Sequence, residues 1–271
     1  MGWAEEDFTA GRKGPHICGN KTAMQQNTKR FSDRVEDYIK YRPAYPEKII
    51  AILNEAVGLD NQQVIADIGS GTGISSIPFL QNNNTVYGVE PNKEMREAAE
   101  QLLTKYNNFI SINGSAEKSN LPDRSIDLIF CGQAFHWFDK LKSKTEFNRI
   151  LKTEGHIVLA WNARSTNSNF QLEYENALLE YIEEYKFVNH RNIRDEDIID
   201  FFHPKKMQAF ILSNKQIFDL EGLKGRLKSS SYCPKVGLQH DKLMAQMEKI
   251  YNKYEIGDQI EFEYETQIYC C

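Results

Sequence analysis

Val64-Ile65-Ala66-Asp67-Ile68-Gly69-Ser70-Gly71-Thr72-Gly73 is the stretch that decides how this chain folds. Five mostly apolar residues make a short strand, and glycines at every second position then make a loop that a ligand can approach at the backbone. In an open α/β sheet, such a loop after the first strand lies in the crevice where ligands bind. Two ligand types compete for it. A dinucleotide loop has the spacing GxGxxG, whose third glycine lets helix pack on strand. Here the spacing is GxGxG and position 74 is Ile. Asp67, just ahead of the loop, would repel a pyrophosphate but suits a ligand bearing an ammonium and a sulfonium. The loop therefore favours an amino-acid-bearing cofactor. An NAD-dependent oxidoreductase is the alternative on the same fold.

Working outward, Phe31, Val35, Tyr38 and Ile39 share a helical stripe that ends near Arg42-Pro43. Pro46 fits the first turn of a helix over 47–57, closed by Gly58. A short helix over 75–80 tolerates Pro78 in its first turn. Further strands at 86–90, 109–112, 126–131 and 156–161 alternate with helices at 92–106 and 140–152. Apolar strands alternating with amphipathic helices predict a doubly wound α/β domain with a parallel sheet.

Past Trp161 the pattern loosens. Residues 170–185 have helical spacing, whereas 195–204 read as charged and irregular, the acidic residues of 195–200 forming a solvated face. Residues 207–218 and 259–269 alternate as strands do, with Ile260, Phe262, Tyr264 and Ile268 on one parity, and 220–228 and 241–254 are helical. The expected organisation is one domain over 28–271. It has a cofactor-binding core at 28–162, late strands at 207–218 and 259–270, and a helical cap from 163–206 and 219–258. Residues 1–27 are polar and aperiodic and are read as a mobile arm. His16 and Cys18 within it are too few to make a metal site.

Composition narrows the function. The 271 residues carry 33 basic and 38 acidic side chains, a net charge of −5, which disfavours a nucleic-acid-wrapping surface. With 41% hydrophobic residues a substantial core is expected. No apolar run approaches the roughly 20 residues that span a bilayer, and the N-terminus has no secretory apolar core. The five cysteines form no CxxC pair. The reading is a cytoplasmic protein, monomer or homodimer, with no membrane, nucleic-acid or metal partner.

Four strand ends carry ligand-type groups. Glu90 closes the second strand some twenty residues after the loop, where a carboxylate can accept both hydroxyls of an adenosine ribose. Pro91 and Met95 offer an apolar face for adenine. Asn113-Gly114-Ser115-Ala116-Glu117 brings a hydroxyl and backbone amides to the adenine edge. The fourth strand runs into the crowded turn Gly132-Gln133-Ala134-Phe135-His136-Trp137, with Gln133 placed beside the cofactor. His136, whose titration lies nearest neutrality, is the candidate general base; the plainer reading is a structural histidine beside Trp137. Trp161, Arg226 and Tyr232 are candidates for an acceptor pocket, with ordinary packing equally open.

The ordered set Asp67–Gly73, Val89-Glu90-Pro91, Gly114–Glu117 with Leu121-Pro122, Asp123–Asp127, Ala134–Phe138 and Leu151–Gly155 resembles the class I S-adenosylmethionine-dependent methyltransferases. Within them it is similar to the methyltransferase type 11 group, near its trans-aconitate methyltransferase-like members. The resemblance spans residues 31–162. It implies a Rossmann-like, seven-stranded, mostly parallel sheet of order 3-2-1-4-5-7-6 with an antiparallel seventh strand. It also implies that Asp67, Gly69, Ser70 and Gly71 hold the methionyl moiety of S-adenosylmethionine, Glu90 its ribose, and Ser115 and Ala116 its adenine. Tyr38 and Arg42 would close over the site. Many members have Asp where Ser115 stands, so the adenine contact here would be weaker or come from Glu117. The activity implied is methyl transfer to a small-molecule acceptor, with a carboxylate or hydroxyl oxygen favoured; a non-catalytic relative that keeps only the pocket is the second alternative.

Overall fold

The computed structural model describes residues 35–183, 185 and 194–271. Seven strands form one sheet: β1 (Val64–Ile68), β2 (Thr85–Val89), β3 (Phe109–Ile112), β4 (Ile126–Gly132), β5 (Leu151–Arg164), β6 (Gln208–Phe218) and β7 (Ile260–Cys270). Their order is β3-β2-β1-β4-β5-β7-β6. β1 to β5 pair in parallel, and β7 runs antiparallel between β5 and β6. The order and the reversed seventh strand are those expected from the sequence.

The alternation of side chains along each strand builds two core layers. Ile65, Leu128, Phe130 and Val158 pack on one face with Ile49, Leu53 and Phe79. Ile68, Val89, Ile129 and Leu159 pack on the other with Phe135 and Phe147. Helix α1 (Val35–Tyr41) precedes α2 (Lys48–Val57), which Gly58 closes in the left-handed conformation at φ 66°. A short helix, α3 (Ile77–Gln81), follows the glycine loop, with a proline in its first turn. Asn92 caps α4 (Lys93–Leu102) by accepting from the Met95 N–H at 2.9 Å, and α5 (Lys140–Ile150) crosses from β4 to β5.

A separate cluster gathers α6 (Asn169–Tyr181), α8 (Leu220–Lys228) and α9 (Leu238–Tyr254), with Tyr174, Leu227 and Met247 around Phe262 of β7. Between them lies α7 (Asp195–Phe202). The sequence suggested an irregular charged segment here, and the structure corrects that. Ile198, Phe201 and Phe202 are buried in the main core, while Asp195, Glu196 and Asp197 occupy the first turn, where the helix dipole favours anions. One other difference bears on the site: β5 runs three residues beyond Trp161. Of the two readings open for Trp161, the structure shows packing, against Phe135 and Tyr269. The arm read over 1–27, with His16 and Cys18, and also Phe31, lies outside the described residues.

Candidate functional site

The chain leaves β1 through a loop whose three glycines do different work. Gly69, Gly71 and Gly73 all have positive φ, at 74°, 55° and 79°. A Cβ on Gly69 would lie 2.6 Å from the Ala134 methyl, and one on Gly73 would lie 2.5 Å from Leu103 Cδ1. Gly71 alone opens onto free space, with nothing within 4 Å of that position. Close backbone approach by a ligand is thus available at Gly71, whereas the outer glycines are dictated by packing.

Two carboxylates flank this loop. Asp67 is fully buried; its Oδ2 accepts from the hydroxyls of Ser75 at 2.6 Å and Ser76 at 2.7 Å. Its Oδ1 is shut off from water with no hydrogen-bond partner. Burial pushes the Asp67 carboxyl up from 3.8 to about 6, against the pull of the two serines. Glu90 accepts from the Gly71 N–H through Oε2 at 3.0 Å and from the Asn92 N–H through Oε1 at 2.8 Å. Burial raises the Glu90 carboxyl too, and those backbone donors and Arg96 oppose it, while Asp67 is near enough to add to the rise.

A cavity opens beside the loop. Its floor is the sheet edge: Gly69 and Ser70 after β1, Gly132 and Gln133 after β4, Asn162 and Arg164 at the end of β5. Tyr38, Arg42 and Tyr45 wall it from the α1 side, Arg226 of α8 and Tyr232 beyond it from another, and Tyr185, beyond α6, from a third. The Asn162 side chain donates to the carbonyls of Pro43 and Ala44, both at 3.3 Å, which ties the end of β5 to the chain leaving α1. Gln133 stands in the left-handed region at φ 57° and donates to the Asn162 carbonyl at 3.2 Å. A non-glycine residue held there costs on the order of 1 kcal/mol, and such strain gathers at ligand sites.

Three guanidinium groups face this space. Arg164 pairs with Glu175 of α6 and donates to the Tyr185 hydroxyl, with both side chains of the ion pair buried. Arg42 donates to the Ser229 carbonyl at 2.9 Å and lies 4.8 Å over the Tyr38 ring, and its Nε is buried without a partner. Burial, and then the charge of Arg226, pulls the Arg42 guanidinium below its ordinary range. Arg226, only 5% exposed, donates from Nε to the Tyr264 hydroxyl at 2.9 Å and from Nη1 to Ser230 Oγ at 3.1 Å. For Tyr232, burial works against the phenolate, but Arg164 and Arg226 more than offset that and bring its titration below the ordinary tyrosine value.

Of the residues singled out from sequence, Tyr38, Arg42, Gly69, Ser70 and Gln133 line the cavity, as do Arg226 and Tyr232. Asp67 stands one layer behind it, bonded to the lining residue Ser75. Glu90, exposed Pro91 and buried Met95 lie on the far side of the loop, outside the cavity wall. The Ala116 methyl is in the core, leaving its backbone as the group able to meet a ligand. Ser115 forms an isolated bridge with Lys118, and Glu117 Oε1 accepts from the Asp139 N–H at 2.9 Å. His136 is half-buried beside Trp137, ring centroids 4.7 Å apart, and does not line the cavity. Tyr45, Asn162, Arg164 and Tyr185 were not anticipated. The available signal was position: Asn162 and Arg164 continue β5 to the ligand-bearing edge of the sheet.

The sheet order with its reversed seventh strand is the one that the resemblance of the sequence motifs implies. Residues 66–159 match the family model described as a methyltransferase domain, that of the type 11 group. An uncharacterized methyltransferase-like protein of Schizosaccharomyces pombe is 33% identical over 143 residues, 52% of this chain and 55% of that one. An uncharacterized methyltransferase of Mycobacterium bovis is 31% identical over 49% of this chain and 52% of its own. The chain thus spans about half the length of the curated relatives it matches. Among solved structures, a protein of Anabaena variabilis assigned as a methyltransferase from an antibiotic biosynthesis pathway superposes with a TM-score of 0.60 at 23% identity, over 86% of this chain and 99% of that chain. A protein of Anaeromyxobacter dehalogenans assigned as a type II methyltransferase gives 0.58 at 16% identity, over 85% and 96%. These two likenesses concern the fold. Among the described residues, no helix is long and apolar enough to cross a membrane.

Proposed function

We propose that this chain is an S-adenosylmethionine-dependent methyltransferase that methylates a carboxylate or hydroxyl oxygen of a small molecule. The observation that carries the reading is the pair Asp67 and Glu90 on either side of a loop whose Gly69 and Ser70 line the cavity and whose Gly71 faces open space. The orphaned, buried Oδ1 of Asp67 suits the ammonium of an amino-acid moiety, so the residues present fit the cofactor.

The cofactor supplies a methyl group on a sulfonium; transfer breaks the S–C bond, forms an O–C bond and leaves the electron pair on sulfur. The protein's part is to hold and align. In this reading Gly69, Ser70 and Gly71 cradle the methionyl group, Tyr38 and Arg42 take its carboxylate, and Gln133 adjoins it. Glu90 accepts from the ribose. Pro91, Met95, Ser115, the Ala116 backbone and Glu117 surround the adenine. A carboxylate acceptor arrives ionised and needs no base; for a hydroxyl acceptor, His136, which stands outside the cavity wall, would have to take the proton through an intervening group. The helices over 163–206 and 219–258 would cap the acceptor and exclude water. Calorimetric titration tests the reading: S-adenosylmethionine and S-adenosylhomocysteine should both bind at one site, and absence of measurable heat for either sinks it.

A further inference from the structure

We infer that Arg226 is the anchor for a carboxylate on the methyl acceptor, so that the acceptor is a small carboxylic acid seated between the sheet edge and α8. The inference rests on the methyltransferase reading above. It comes from charge accounting within the cavity. Arg164 is neutralised inside the protein by Glu175. Arg42 belongs, in that reading, to the carboxylate of the cofactor's own amino acid, whose ammonium answers to Asp67. Arg226 is left over: among the described residues no carboxylate comes within ion-pairing distance of it.

The geometry agrees. Nε and one Nη1 hydrogen are spent on Tyr264 and Ser230, which fix the plane of the guanidinium, and Nη2 has no partner among the described residues. The ring faces of Phe262 and Tyr264 stand 5.9 and 5.8 Å from it and exclude water from that side. A buried cation with half of its donor fork unused, held rigid on a cavity wall, is costly unless a ligand brings the complementary anion. A carboxylate matches that need because its two oxygens can meet the remaining Nη1 and Nη2 hydrogens together.

The test is calorimetric binding of succinate, hexanoate and 3-phenylpropanoate, each against its amide, to the full chain saturated with S-adenosylhomocysteine. We expect at least one carboxylate to bind ten times or more tighter than its amide. Arg226→Gln should erase that preference by weakening the acid tenfold or more while leaving the amide within twofold. S-adenosylhomocysteine affinity should stay within threefold in the variant. If Arg226→Gln does not fold, Arg226→Lys carries the test: keeping the charge but losing the fork, it should weaken the acid three- to tenfold and leave the amide unchanged. The proposal is overturned if no acid outbinds its amide, if the preference survives Arg226→Gln, or if that variant loses S-adenosylhomocysteine tenfold, which would give Arg226 to the cofactor. Failure of the wild-type chain to bind S-adenosylhomocysteine at all would instead remove the methyltransferase reading underneath.

Discussion

The ring of Tyr41 fills the space that a side chain on Gly225 would occupy. The contact seats α1 directly on α8, and the next residue along each chain, Arg42 and Arg226, then reaches the same cavity. Gly225→Ala should raise the intrinsic preference for helix by about 1 kcal/mol. Overpacking against Tyr41 should cost about 1–3 kcal/mol and prevail. A lower melting temperature together with weaker cofactor binding is the expected outcome; a more stable variant with unchanged binding would mean that the helices are free to separate.

Asp67 makes stability depend on pH in an unusual direction. Its folded titration near 6 lies above the ordinary 3.8, so folding disfavours the ionised form. The stabilisation from the protonated group is complete below about pH 4 and is lost as pH rises through 6. That displacement corresponds to about 3 kcal/mol at pH 8. Asp67→Asn should therefore gain thermal stability relative to wild type between pH 4 and pH 8, while cofactor affinity drops tenfold or more. Melting curves across that range decide it; a stability difference that does not change with pH contradicts the burial of the charge.

Glu90 both holds the loop, through the Gly71 N–H, and is the proposed ribose partner. Glu90→Ala should weaken S-adenosylhomocysteine binding by about 1.5–3 kcal/mol. Unchanged affinity would place the ribose elsewhere.

The glycines of the loop should separate stability from binding. At Gly71 an alanine meets no neighbour, so the left-handed backbone is its main cost, about 1 kcal/mol. Gly71→Ala should fold and fail to bind cofactor. Gly69→Ala, which drives a methyl into Ala134, should instead lose stability first. Parallel thermal melts and cofactor titrations on the two variants would reveal the contrast; equal behaviour would refute the assignment of Gly71 as the approach point.

The core strands were readable because β1, β2 and β4 are hydrogen-bonded on both edges and covered on both faces, which forces continuous apolar runs such as Leu128–Cys131. Asn162-Ala163-Arg164 hid the extension of β5, since polar residues there are satisfied by partners distant in sequence. Thr266 of β7 donates to Asn162 Oδ1 at 2.5 Å, and Glu175 answers Arg164. In α7 the acidic first turn masked three buried apolar residues. Gly69, Ser70 and Gln133 were legible as cavity-lining residues because they follow β1 and β4 at the edge of the sheet where ligands bind. Arg226 and Tyr232 could be suspected but not distinguished from packing residues, for their meaning depends on a wall assembled from α1, β5 and α8.

The bond between Arg164 and Glu175 has a mechanical corollary. A water-shielded ion pair resists separation by about 3–5 kcal/mol, and this one rivets α6 to the tip of β5. The roof over the cavity is thus fastened at that corner by charge, and the doorway for incoming molecules should be sought at the opposite jamb, where α8 meets α1 through the Tyr41 ring over Gly225 and the Arg42 hydrogen bond to the Ser229 carbonyl.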